Sequence, residues 1–147
     1  MKTLAVSKQS LSQTEINKSI VRRFNKEFIE GADINVFNEI IAPGFINHSA
    51  PQGVPKGPEG VLYFFNNFLR PSFPDLKVEI VKQVAENDLV TTHKIFHVTH
   101  KGEFMGVAAT GRSITIEVID IIRLKDKRFI EHWNVLDWQQ VMTHLAS

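Results

Sequence analysis

The 147-residue sequence contains no cysteine. That excludes disulfides, thiolate metal ligands and a cysteine nucleophile, and it suits a reducing, cytoplasmic location. Long apolar runs are also missing. No segment approaches the roughly 18 consecutive apolar residues of a membrane span. The opening MKTLAVSKQSLSQ is too broken by polar residues for a secretory signal. Charge of one sign is lacking as well: 17 basic residues stand against 16 acidic ones, for a formal net charge of +1. Such a balance offers no electrostatic footprint for nucleic acid or an anionic membrane surface. Neither a Gly-rich phosphate loop nor a nucleophile elbow nor a paired metal-binding His motif is present.

What the chain does have is phenylalanine, 11 of them, within a hydrophobic fraction of 43%. These can fill a core, line a cavity, or both. The length fits one domain. Residues 1–11 are expected to be a disordered lead-in and residues 12–147 a single domain.

Along the chain, Ser12 or Thr14 is suited to cap a helix in which Ile16, Ile20, Val21, Phe24 and Phe28 share one face. Gly31 closes it. Asp33 caps a second helix with Ile34, Phe37, Ile40 and Ile41, which Pro43 and Gly44 stop. Phe45 to His48 reads as a short extended segment. A loop over residues 49–57 follows. A third helix begins near Pro58, carries Val61, Leu62, Phe64, Phe65, Phe68 and Leu69, and ends at Pro71. From Phe73 the period changes to two. Strands are expected from Leu76, from Leu89 to His100, from Glu103 to Ala108, from Ser113 to Arg123 and from Arg128 to Leu136, with a closing helix from about Asp137 to Leu145. Helices first and mainly antiparallel strands after define an α+β domain in which one sheet face covers the helices.

The hairpin from Ile114 to Leu136 carries the chemistry. Ile114, Ile116, Val118, Asp120 and Ile122 share one strand face, so Asp120 projects among aliphatic residues. Thr115 and Glu117 mark the opposite, wetter face, where Ile119 and Ile121 are out of place and point to a subunit contact. A three-residue turn with Lys127 in the left-handed region pairs Asp120 with His132 and Val118 with Asn134, gathering the three on the apolar face. A two- or four-residue turn would break this register and send His132 to the other face. A buried carboxylate needs a partner. Asp120 beside His132 is then either an acid/base pair or a tie between strands. Asn47 and His48 could bring an amide and an imidazole to a pocket, or serve turn chemistry. His93, His97 and His100 do not make a metal site. Four residues along a strand span about 13 Å, and His100 faces away from the other two.

The order of these pieces is familiar. Phe45-Ile46-Asn47-His48, Phe73-Pro74-Asp75-Leu76, the run Thr99 to Gly106, Thr110-Gly111-Arg112 and the run Glu131 to Asp137 together resemble the SnoaL-like polyketide cyclases of the nuclear transport factor 2-like superfamily. The resemblance spans Glu15 to Leu145. It implies a cone: N-terminal helices packed on a strongly curved, mainly antiparallel sheet around a deep pocket. It also implies cofactor-free and metal-free intramolecular aldol or isomerisation chemistry on a small apolar or polyketide-like ligand, and a homodimer. The acidic position of the family's last strand falls on Asn134, which cannot abstract a proton. Asp120 and His132 are therefore the expected catalytic residues, with Asn134, Asn47, His48, Phe65 and Phe104 expected to bind substrate. A ligand-binding protein without chemistry and a hydrolase, with Arg112 the nearest arginine, are the alternatives on the same fold.

Overall fold

A computed structural model describes residues 11–146. The reading of residues 1–11 as a lead-in therefore lies, apart from Leu11, outside the described residues. Helix α1 (Gln13–Arg23) is capped by Ser12, whose hydroxyl accepts from the Glu15 amide. It widens without a break into a π-helical segment, π1 (Phe24–Glu30). Gly31 follows, yet the residue with positive φ is Ala32, at 57°. Asp33 caps α2 (Ile34–Ile40) by accepting from Asn35 and Val36 amides.

The second helix is shorter than its sequence suggested. Strand β1 (Ile41–Asn47) begins at once, and Pro43 and Gly44 lie inside it. Proline is tolerable there because β1 is an edge strand. Helix α3 (Pro58–Tyr63) again widens into a π segment, π2 (Phe64–Leu69), and runs on through α4 (Arg70–Ser72). Pro71 thus sits in the last turn. It does not terminate the helix ahead of itself.

Strands β2 (Lys77–Glu86), β3 (Leu89–Thr99), β4 (Ser113–Lys125) and β5 (Arg128–Leu136) complete a five-stranded sheet of order β1-β5-β4-β3-β2. All neighbours are antiparallel except β1 and β5. The strand expected from Glu103 to Ala108 does not form. Met105 and Gly106 both take positive φ, so the chain doubles back, leaving one isolated bridge between Phe104 and Val107. Helix α5 (Trp138–Ala146) closes the fold, with Asp137 accepting from the Gln140 amide.

The β4–β5 hairpin departs from expectation twice, and the departures compensate. Its turn has two residues, Asp126 and Lys127, both at positive φ, between the paired Lys125 and Arg128. Alone, that turn would put His132 on the outer face. A bulge at Ile130 inserts one extra residue into β5, since Leu124 pairs with Phe129 and Arg123 with Glu131. Beyond the bulge, Ile122 faces His132, Asp120 faces Asn134 and Val118 faces Leu136. The partners differ from the expected pairs, but the face is the expected one. A second bulge, at Val81 on β2, adds further bend.

The helices cover the face bearing Ile116, Val118, Ile122 and Leu124, all buried. Two aromatic groups, joined by the edge contact of Phe64 with Phe65, fill the space between the layers. Phe24, Phe28, Phe37, Phe65 and Phe129 form one. Phe64, Phe68, Phe73, Phe104 and Trp138 form the other.

Candidate functional site

Between helices and sheet lies a cavity of 110 Å³. Every layer contributes to its wall: Asn25 from π1, Asn47 from β1, Phe65 from π2, Lys94 from β3, Asp120 from β4, and His132 and Asn134 from β5. The two π segments matter here. A π turn rotates side chains relative to an α-helix and is frequent at functional sites. Between them these segments supply Phe24, Asn25, Ile29, Phe64, Phe65 and Leu69 to the wall.

Asp120 is only 3% exposed. Its partner is Lys94, whose Nζ lies 2.8 Å from Asp120 Oδ2 and is itself buried. The same ammonium donates to Asn25 Oδ1 at 2.8 Å and lies 5.4 Å from the Phe96 ring centre. Asn25 in turn donates to the Val21 carbonyl. Burial pushes the Asp120 carboxyl up, but the charge of Lys94, the neighbouring His132 and the hydrogen bond from Lys94 outweigh it. The net position is below the ordinary carboxylate value. Asp120 Oδ1 is buried and has no hydrogen-bond partner among the described residues.

His132 stands beside this pair, with Nε2 3.9 Å from Asp120 Oδ2. That is an ion-pair separation, longer than a hydrogen bond. The hydrogen-bond contact expected from sequence is thus replaced by Lys94. The tautomer follows from the network. Asn47 Oδ1 accepts the Ser49 amide at 3.0 Å, which fixes it as the oxygen. Since His132 Nδ1 lies 2.9 Å from that oxygen, Nδ1 carries the proton. In the neutral ring, Nε2 is then a bare acceptor turned toward Asp120.

Other expected residues fall differently. Asn134 lines the cavity directly opposite Asp120, and its backbone amide donates to Ser49 Oγ. Asn47 and Phe65 line it too. His48 does not. Alternation along β1 turns Phe45 and Asn47 inward and His48 outward, where it stacks on Trp133 at 4.8 Å and bonds Glu131 at 2.8 Å. Phe104 is also absent from the wall. The turn at Met105 folds it behind Trp138, at 5.9 Å, where it buttresses a residue that does line the cavity. Arg112 donates to the His144 carbonyl, away from the cavity.

Lys94 and Asn25 escaped the sequence reading, though a signal was present. Lys94 is in phase with Val90, Thr92, Phe96 and Val98, the buried face of β3. A lysine there requires a carboxylate. His93 and His97 pair with Glu117 and Glu79 on the outer face, while His100 is buried, and no metal-binding group exists among the described residues.

Helices packed on a curved sheet, enclosing an apolar cavity with one buried ion pair and an oriented imidazole, define a small-molecule pocket protein of the cone type. The family model for SnoaL-like polyketide cyclases matches residues 19–145, and the chain belongs to that family. Similar solved structures include a protein of Jannaschia sp. CCS1 assigned as a SnoaL-like polyketide cyclase. It is 28% identical, with 95% of this chain and 98% of that one covered, at a TM-score of 0.78. IdmH of Streptomyces antibioticus, also assigned as a polyketide cyclase, is 29% identical over 89% of this chain and 99% of its own, at a TM-score of 0.80. AclR of Streptomyces galilaeus, assigned as a hydroxylase, shares the fold at 23% identity and a TM-score of 0.80, with 91% and 83% covered. No curated protein sequence matches the chain.

Proposed function

We propose that the protein is a cofactor-free acid/base enzyme that moves a proton at a carbon next to a carbonyl, closing a ring or shifting a double bond in a small apolar, polyketide-like molecule. The observation that carries this reading is the buried Lys94–Asp120 pair beside His132, with Nε2 left as an acceptor by the Asn47 bond. Asp120, held ionised by Lys94, is a weak base. Its charge nevertheless stabilises an imidazolium 3.9 Å away. His132 Nε2 therefore takes the proton from carbon. The C–H electron pair moves to the carbonyl oxygen, where the amide of Asn134 can donate to the enolate. The enolate carbon attacks a second carbonyl, and His132 returns its proton to the new alkoxide. The loss of the family acid at Asn134 is then met by a base two residues earlier on the same strand.

The test is solvent deuterium exchange at the α-carbon of small cyclic ketones, followed by NMR. His132→Gln should slow exchange by about 10²–10⁴-fold, and Asp120→Asn should slow it too, with both variants folded. Exchange no faster than in buffer, in the parent as well as the variants, would move the protein to the binding reading.

The assembly reading is a homodimer formed on the outer sheet face. Ile119 is 46% exposed, Ile121 36% and Val135 76%, and Ile119 and Val135 are paired neighbours. No helix is long and apolar enough to cross a membrane among the described residues. With no cysteine to oxidise, the cytoplasm is the proposed location.

A further inference from the structure

The outer face of the sheet carries three histidines, each bonded to a glutamate of a neighbouring strand. His93 on β3 meets Glu117 on β4 at 2.6 Å, His97 on β3 meets Glu79 on β2 at 2.8 Å, and His48 meets Glu131 on β5 at 2.8 Å. Two of these glutamates have a permanent cation close by. Arg123 donates to Glu131 at 2.9 Å, and Lys77 stands on β2 opposite His97, two residues from Glu79 on the same face. Glu117 differs. Among the described residues its only ion-pair partner is His93. Register places this pair at the exposed aliphatic patch: His93, Ile119 and Val135 lie side by side across β3, β4 and β5. Lys82 is opposite His93 on β2, and Glu79 lies across Ile95 from Glu117. The Glu117 side chain is 65% exposed, and with Asp137 it borders a depression that Ile119 and Val135 also line.

An imidazole bonded to a carboxylate has two charge states. When the ring is neutral, the charge of the glutamate is left uncompensated. When the ring is protonated, the pair as a whole is neutral. Histidine passes between these states between about pH 5 and pH 8. On an isolated chain the difference matters little, because water and salt screen an exposed pair. Against a second copy it matters more. A two-fold interface presents the same patch to itself. Glu117 and Asp137 of one chain are then brought toward the same acids of the other, with less water between them to screen the repulsion. Covering Glu117 while its partner carries no charge adds a desolvation cost. We infer that assembly through the outer sheet face is pH-gated, with the His93–Glu117 pair as the gate: a second copy docks when His93 is protonated and is held off when it is neutral. This inference rests on the homodimer reading above and adds its regulation. Docking takes up about one proton per chain at this pair, so the dimer strengthens as pH falls through the histidine range.

Sedimentation velocity over a concentration series, at steps from about pH 6 to about pH 8, reads the dimer dissociation constant of the whole chain. Circular dichroism at each step checks that the fold is intact. The constant should be at least about tenfold lower at the acid end, a modest effect for like charges that no longer face each other across an interface. Two variants should move in opposite directions. Glu117→Gln removes the charge that protonation answers. It should dimerise at the alkaline end about as tightly as the parent does at the acid end, with the pH trend lost or reversed. His93→Gln leaves Glu117 charged throughout, and should dimerise at the acid end no better than the parent does at the alkaline end. Both side chains lie on the outer face, so neither change disturbs the core. A constant that does not respond to pH, or tighter association at the alkaline end, would overturn the inference and leave the homodimer standing. So would variants that follow the parent's pH profile. Single-chain mass at every pH and concentration would remove the homodimer and the gate together.

Discussion

Lys94 is a cation on an apolar strand face, and its removal isolates the effect of its partnership. Lys94→Met alone strands the Asp120 carboxylate and should destabilise the fold by about 3–5 kcal/mol, whereas Lys94→Met/Asp120→Val should recover most of that. Chemical denaturation of the two variants checks the difference. The same pair sets an acid limit. The folded Asp120 carboxyl lies below its unfolded value, so its contribution is fully present above the ordinary carboxylate pKa and fades as pH falls through the depressed folded one. Asp75, bonded by Thr99, and Glu131, bonded by His48, shift in the same direction. Circular dichroism against pH should therefore show the parent chain holding its structure below about pH 4, the ordinary carboxylate range. For Lys94→Met the sign reverses: burial without the ion pair penalises the charged carboxylate in the folded chain only, so the loss of stability relative to the parent should be greatest near neutral pH and shrink as the pH falls and Asp120 takes up a proton. The presence of Asp120 on the buried face was legible from period-two alternation. Its partner was legible by the same rule applied to β3, where Lys94 alternates with Val90, Thr92, Phe96 and Val98.

At the scale of elements, the hairpin shows where sequence reasoning meets its limit. Alternation along β4 determined the face of Asp120 without any knowledge of the turn. The face of His132 depended on the sum of two irregularities, a two-residue turn and the bulge at Ile130. Neither has a strong residue signature, since Asp126-Lys127 lacks the glycine such a turn prefers. The helices were legible from their apolar spacing. Their widening into π turns was not, because a π turn is a response to packing. Phe104 was misplaced for a similar reason: the doubling back at Met105 and Gly106 breaks the alternation on which a strand reading depends. The turn itself offers a prediction. Lys127 sits at φ 64°, a conformation costing a side-chain-bearing residue about 1–2 kcal/mol. Lys127→Gly should raise the melting temperature by about 2–4 °C without altering activity, as thermal unfolding and the exchange assay would show. A lower melting temperature would mean that Lys127 makes a compensating contact.

For the whole molecule, the sheet has two faces with opposite tasks. The inner one bends around the cavity. The outer one carries the exposed Ile119, Ile121 and Val135. A single chain gains nothing from these residues in water, and symmetric dimers are the commonest way to cover such a face. Light scattering at micromolar concentration should give twice the chain mass for the parent. Ile121→Glu/Val135→Glu should give the mass of one chain, with the cavity intact. A parent of single-chain mass would remove the dimer from the description.

The electrical neutrality of the Lys94–Asp120 pair has a consequence for how molecules reach it. The cavity holds a dipole and no net charge, inside a chain whose formal charge is only +1. Neither supplies a net charge that would draw a ligand in over long range or that dissolved ions would screen. Uptake by the proposed enzyme is then a partition from water into a mostly apolar compartment. Its rate should be as indifferent to ionic strength as the solubility of the ligand allows, and far more responsive to temperature than to salt.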